Sequence, residues 1–236
     1  MTRLLASVTN APELELAIEG GADIIDLKNP HTGALGALPL GLIRELVRQT
    51  AGRRPVSATV GDLAPEPLPL TTAIDQTGEC GVDYVKVGFF SEHNLTACLN
   101  AIARLTDDLS VVAVLFADRQ PPLNRLHAFA AAGFRGVMLD TAGKGGGGLL
   151  DHIDLQQLDR FVAEIRDLGM FCGLAGSLRL DDVPLLLPLM PDYLGFRGAL
   201  CEESRRTAVL SPRRLSGIRD AFAVSSTAQD QVAAGG

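Results

Sequence analysis

Paired cysteines are missing from this 236-residue chain. Its four cysteines, Cys80, Cys98, Cys172 and Cys201, lie far apart, and none forms a CxxC pair. That argues against a zinc knuckle and against a disulfide framework, and the four read as reduced thiols. Histidine is scarce too. His31, His93, His127 and His152 show no metal-ligand spacing, so no metal site is expected. A basic excess is also lacking: the formal net charge is −7. A general nucleic-acid binder normally carries a basic face, so nucleic acid is not an expected partner. An anionic substrate stays open, because a few placed donors can hold a phosphate locally. Long apolar runs are absent. The stretch from Val183 to Pro191, VPLLLPLMP, is too short and too proline-broken for a membrane span, which needs about 18 residues or more. The start, MTRLLASVTN, is too short and polar for a signal peptide, so the cytoplasm is the expected location.

What is present is an alternation. With 47% hydrophobic and 21% charged residues the chain reads as globular. Short apolar runs predict strands at Leu4–Val8, Ala22–Lys28, Pro55–Val60, Val82–Gly88, Ser110–Phe116, Gly136–Asp140, Met170–Ala175 and Tyr193–Arg197. Amphipathic stretches such as Pro12–Glu19, Pro39–Thr50, His93–Arg104 and Leu155–Leu168 lie between them. Nearly continuous apolar strands suit a parallel sheet buried on both faces. Eight strand–helix units predict an α/β fold of one domain, a single (β/α)8 TIM barrel, with a doubly wound open sheet as the alternative. The barrel is expected over residues 1–222, with a disordered tail over 223–236. Four echoes of one unit, EGGADIIDLK, ECGVDYVKVG, AAGFRGVMLD and DLGMFCGLAG, place Gly21, Gly81, Gly133 and Gly169 just before strands. Glycine there ends the preceding helix in the left-handed conformation. The apolar Leu185–Met190 segment fits either the core or an interface, so a homo-oligomer is allowed but not specified.

Several strands end in ionisable groups, where a barrel of this kind builds its active site. Period two puts Asp26 and Lys28 on one side of their strand and Leu27 on the other. Lys86 sits between Val85 and Val87, and Asp140 ends the sixth strand, with Lys144 in the glycine-rich loop behind it. Gly61-Asp62 follows the third strand. Lysine is costly to bury without a partner or a task. One reading makes Lys28 and Lys86 buried ion-pair partners of Asp26 and Asp140. The other adds chemistry: a desolvated amine attacks an aldehyde or ketone to form a Schiff base, and carboxylates beside it move protons. The residues alone do not say which lysine is the nucleophile. The loops Gly176-Ser177 and Arg197-Gly198-Ala199 follow strands seven and eight, where barrels often hold phosphate. They are either a phosphate site or ordinary tight turns. Arg197 is the expected guanidinium for a substrate phosphate.

The segments GGADIIDLKNPHTGALGA, VSATVGD, DYVKVG, MLDTAGK, LAGSL and GFRGALC occur in this order over most of the chain. Together they resemble the (5-formylfuran-3-yl)methyl phosphate synthases, which supply the furan precursor of methanofuran. The resemblance implies a (β/α)8 barrel that condenses two molecules of glyceraldehyde 3-phosphate, a small phosphorylated triose, with loss of phosphate and water. It assigns the Schiff base to Lys28 and acid–base work to Lys86, and it brings Asp26, Asp140 and Lys144 into the site. Gly145–Gly148 departs from the polar, charged loop expected after that lysine. No cofactor, metal or organic, is expected, because the lysine itself is the electron sink. A class I aldolase of another sugar phosphate and a non-catalytic barrel that binds phosphorylated metabolites are the alternatives.

Overall fold

The structure, a computed structural model, describes residues 1–143 and 146–234, with side chains described as far as residue 223. Strands β1 (Arg3–Val8), β2 (Ile24–Leu27), β3 (Val56–Thr59), β4 (Tyr84–Phe89), β5 (Val111–Phe116), β6 (Gly136–Asp140), β7 (Phe171–Leu174) and β8 (Tyr193–Phe196) alternate with eight helices. These are α1 (Ala11–Glu19), α2 (Leu40–Thr50), α3 (Pro67–Gly78), α4 (Leu95–Ile102), α5 (Leu126–Ala131), α6 (Leu155–Asp167), α7 (Val183–Leu186) and α8 (Pro212–Ala234). Each strand pairs in parallel with the next, and β8 returns to β1. The sheet is a closed barrel, so the (β/α)8 expectation holds and the open sheet is set aside. The expected tail falls largely on residues whose side chains lie outside the description.

Local sequence accounts for the elements. Helix α6 opens on a capping box: the Asp154 carboxylate accepts the Gln157 N–H at 2.7 Å, and Gln157 Oε1 accepts the Asp154 N–H at 3.3 Å. Its Leu158, Phe161, Val162 and Ile165 lie on one face and are buried. Each such side chain taken from water contributes about 1.5–3 kcal/mol. Gly21 has φ +81°, as a helix-ending glycine should, and Gly81, Gly133 and Gly169 repeat that geometry at φ 85°, 78° and 72°. Two prolines shorten the seventh unit, so α7 is a single turn. The apolar segment there divides: Leu186 and Leu187 are buried, while Leu185 and Met190 are exposed.

The main core fills the space between sheet and helices, including Val111, Ala113 and Leu115 of β5. Their neighbours Val112, Val114 and Phe116 point into the barrel, where they meet Leu5, Ile24, Met138 and Tyr193. Tyr193 fills the interior only because Gly173 has no side chain; a Cβ there would stand 2.2 Å from the Tyr193 ring. Toward the C-terminal strand ends, Leu35 packs with Phe116, on which Phe90 stacks at 4.2 Å. Apolar side chains thus plug the β4–β5 side of the barrel mouth.

Candidate active site

The other side of the mouth is open and polar. A cavity of about 690 Å³ lies at the C-terminal strand ends, lined by residues of β1, β2, β4 and β6–β8 and their loops. Pockets that take small molecules span about 300–1,000 Å³. The described lining residues include six cationic side chains (Lys28, Lys86, Arg179, Arg197, Arg206 and Arg214) against three acidic ones (Asp26, Asp140 and Asp181). The chain as a whole carries −7. An acidic protein therefore keeps a cationic hollow, which attracts anions.

Strand register assembles the floor of this cavity. Ser7 of β1 stands opposite Asp26 of β2, which stands opposite Ser57 of β3. All three point inward, and both hydroxyls donate to the carboxylate, Ser7 Oγ at 2.8 Å and Ser57 Oγ at 2.7 Å. Lys86 of β4 reaches past β3 and places its Nζ 2.8 Å from Asp26 Oδ1. Burial pushes the Asp26 carboxyl up, but the charges of Lys86 and Lys28 and the hydrogen bonds from Lys86 and Ser57 outweigh it. The carboxyl ends below its ordinary range. Lys28 shares the inward side with Asp26, as its spacing predicts, and its Nζ lies 3.4 Å from Asp140 Oδ2. Lys28 is the more open of the two lysines: its side chain is 11% exposed against 4% for Lys86. Lys28, Lys86, Asp26 and Asp140, drawn from three strands, therefore line one cavity. Lys144 lies outside the described residues.

Two aspartates brace the loops. Asp62, just after β3, accepts the N–H groups of Ala34 at 2.8 Å and Leu35 at 2.6 Å. It thereby pins the loop that follows Lys28. Asp118 accepts those of Ala142 at 2.8 Å and Gly143 at 2.7 Å, behind Asp140. Burial raises the Asp118 carboxyl, these backbone donors lower it, and the balance falls below the ordinary value.

Gly176, Ser177, Gly198 and Ala199 line the cavity as well. Among the described residues their backbone N–H groups meet no acceptor. Gly176 has φ +106°, and a Cβ there would meet Thr141 at 3.0 Å, so glycine lets this turn close. Arg197 lines the cavity too, yet its guanidinium is committed elsewhere. Nε donates to Arg206 O, Nη1 to Ser7 O and Glu13 Oε2, and Nη2 to Glu13 Oε1 and Ala208 O, at 2.6–3.1 Å. All five N–H donors are used. Glu13 on α1 takes the fork, so in this geometry the side chain braces α1 against the loop after β8, with no N–H left over for the phosphate grip expected of it. Sequence reading missed Ser7, Ser57, Glu13 and Arg206 as site residues; the first three fall inside predicted strands or helices, but only Ser57, in VSATVGD, lies in a segment that carries the family resemblance. Among the described residues no group of three or more His, Cys, Asp or Glu is placed to hold a metal ion, and no helix is long and apolar enough to cross a membrane.

A sequence model of the family described as 4-HFC-P synthase matches residues 4–219. A Methylorubrum extorquens relative is 41% identical over 214 residues, which cover 91% of this chain and 89% of the relative. The (5-formylfuran-3-yl)methyl phosphate synthase of Methanopyrus kandleri is 38% identical over 216 residues, covering 86% and 91%. Among solved structures, the phosphoribosyl anthranilate isomerase of Thermus thermophilus superposes with a TM-score of 0.67 at 15% identity, over 94% of this chain and 99% of that one. The Pyrococcus furiosus N-(5'-phosphoribosyl)anthranilate isomerase gives 0.64 at 16%, with the same coverage. Identity that low speaks for the barrel alone.

Proposed function

The chain belongs to the 4-HFC-P synthase family, and we propose that it condenses two molecules of glyceraldehyde 3-phosphate into (5-formylfuran-3-yl)methyl phosphate through a Schiff base on Lys28. One phosphate and two waters leave, and no net oxidation is needed. The observation that carries the mechanism is the meeting of two lysines and two aspartates in one cationic cavity.

Lys28 faces the cavity and has Asp140 beside its amine at 3.4 Å. Its nitrogen adds to the carbonyl of one triose, water leaves, and the iminium draws electrons from the adjacent carbon. Lys86 takes a proton from that carbon and returns it later. Asp26 stays ionised, so it anchors Lys86 while the proton moves. The N–H groups of Gly176, Ser177, Gly198 and Ala199, which meet no acceptor among the described residues, suit phosphate oxygens.

The test is product mass after incubation with glyceraldehyde 3-phosphate, together with borohydride trapping and peptide mapping. A furan aldehyde phosphate and an adduct on Lys28 are expected. An acyclic sugar phosphate would mark the chain as an ordinary Schiff-base aldolase. Binding with neither product nor adduct would mark it as a non-catalytic barrel.

A further inference from the structure

Arg206 belongs to none of the sequence segments noted above, yet its placement is specific. It sits in the loop between β8 and α8, is partly buried and lines the cavity. Its root lies on the Gly198 turn: a Cβ on Gly198 would stand 3.8 Å from Arg206 N and 3.9 Å from Arg206 Cβ. Arg197 holds the backbone here by donating to Arg206 O at 2.8 Å and Ala208 O at 3.0 Å. The same loop carries two non-glycine residues with positive φ, Glu203 at 53° and Ser204 at 56°. Such strain persists only where surrounding contacts enforce it, and it gathers at ligand clamps.

The guanidinium of Arg206 is half committed. Nη2 donates to Pro30 O and to Gly33 O, the latter at 2.8 Å, so it reaches across to the loop that follows Lys28. Among the described residues, Nε and Nη1 meet no acceptor. A guanidinium has five N–H donors and no acceptor, which suits it to an anion.

We propose that Arg206 is the guanidinium that grips a substrate phosphate, with the Gly198 and Ala199 amides beside it, and that its contacts to Pro30 and Gly33 tie that grip to the Lys28 loop. The site thereby selects phosphorylated over unphosphorylated trioses. This rests on the triose phosphate reading of the cavity. An anion on the Nε and Nη1 side holds the guanidinium in place, and the guanidinium holds the loop two residues beyond the nucleophile.

The test uses glycerol 3-phosphate, which has no carbonyl and forms no Schiff base, titrated calorimetrically into the full chain. Arg206→Ala removes the whole group. Arg206→Gln keeps an amide donor for the Pro30 and Gly33 carbonyls but loses the charge, and it guards against a folding failure of the alanine variant. Both should weaken binding at least about tenfold, with Arg206→Gln melting near wild type. Borohydride trapping should show the preference for glyceraldehyde 3-phosphate over glyceraldehyde collapsing in both, an effect that a general loss of structure does not produce. Binding within about twofold of wild type in both variants, or no binding by wild type, overturns the proposal. If position 206 governs binding but wild type yields no adduct with either aldehyde, the Schiff-base reading falls and the phosphate grip stands.

Discussion

Lys86 Nζ and Asp26 Oδ1 meet at 2.8 Å although β3 stands between their strands. Both side chains are nearly sealed from water. Removing one charge from such a pair leaves the other buried and uncompensated, which costs about 3–5 kcal/mol. Asp26→Asn should lose stability of that order at pH 7 and lose turnover as well. The pH dependence has a definite sign. The folded Asp26 carboxyl lies below its ordinary range. Its contribution is present above the unfolded value, about 3.9, and is lost as pH falls through the folded one. Urea unfolding from pH 7 down to pH 3 should show the gap between wild type and Asp26→Asn narrowing on the acid side. Parallel curves would remove Asp26 as the source.

Arg197 should behave as a brace. It binds Glu13 through both Nη atoms, and the two side chains are about 10% and 7% exposed. Arg197→Ala strands the Glu13 carboxylate and frees the loop from Arg206 to Ala208. A loss of about 3–5 kcal/mol in urea unfolding is expected. Lysine restores the charge but not the fork, so Arg197→Lys should recover only part of it. A raised KM with unchanged stability would return Arg197 to direct phosphate binding.

Asp62 touches neither lysine, but it accepts two N–H groups of the loop behind Lys28. Asp62→Ala leaves Ala34 and Leu35 without that anchor, at about 1.5–3 kcal/mol per hydrogen bond to a charged group. The Lys28 loop should become more mobile. Adduct formation should slow by more than about tenfold, since small misplacements near a reacting group are expensive in rate. Hydrogen exchange at residues 29–36 should rise while the amides of β5 and β6 stay protected. Unchanged exchange there would show that the loop is held by other contacts.

The sequence was readable where one strand sufficed. Alternation put Asp26 and Lys28 on one side and Leu27 on the other; the structure turns the first side to the cavity and the second to the outer core. Register was not readable, because nothing local to Ser7 or Ser57 says that both stand beside Asp26. Reach was unreadable too. Arg197 directly follows β8, one residue past the strand's end, but a long side chain turns to its best partner, and Glu13 lies 184 residues away in sequence. Arg206, nine residues after Arg197, reaches Pro30 and Gly33 only because the barrel closes β8 against β1, one strand away from β2.

The two lysines should separate cleanly under trapping. Lys28 is the more exposed and faces the cavity, while Lys86 is sealed beneath it on Asp26. Lys28→Ala should abolish both turnover and the borohydride adduct. Lys86→Ala should abolish turnover yet retain the adduct, because addition to the carbonyl needs the amine of Lys28 more than it needs the base. Arginine at position 28 keeps a cation beside Asp140 but cannot serve as a neutral amine at working pH, so Lys28→Arg should be as inactive as alanine. Were Lys28 only an ion-pair partner of Asp140, arginine would be tolerated, and alanine would cost about 3–5 kcal/mol with little change in rate per folded molecule. Adduct mass and melting temperature, measured on all three variants, distinguish the two cases. A folded Lys28→Arg protein that keeps a substantial fraction of wild-type turnover rules out Lys28 as the Schiff-base residue. A Lys86→Ala protein that forms no adduct moves the nucleophile, or the activation of the nucleophile, to Lys86.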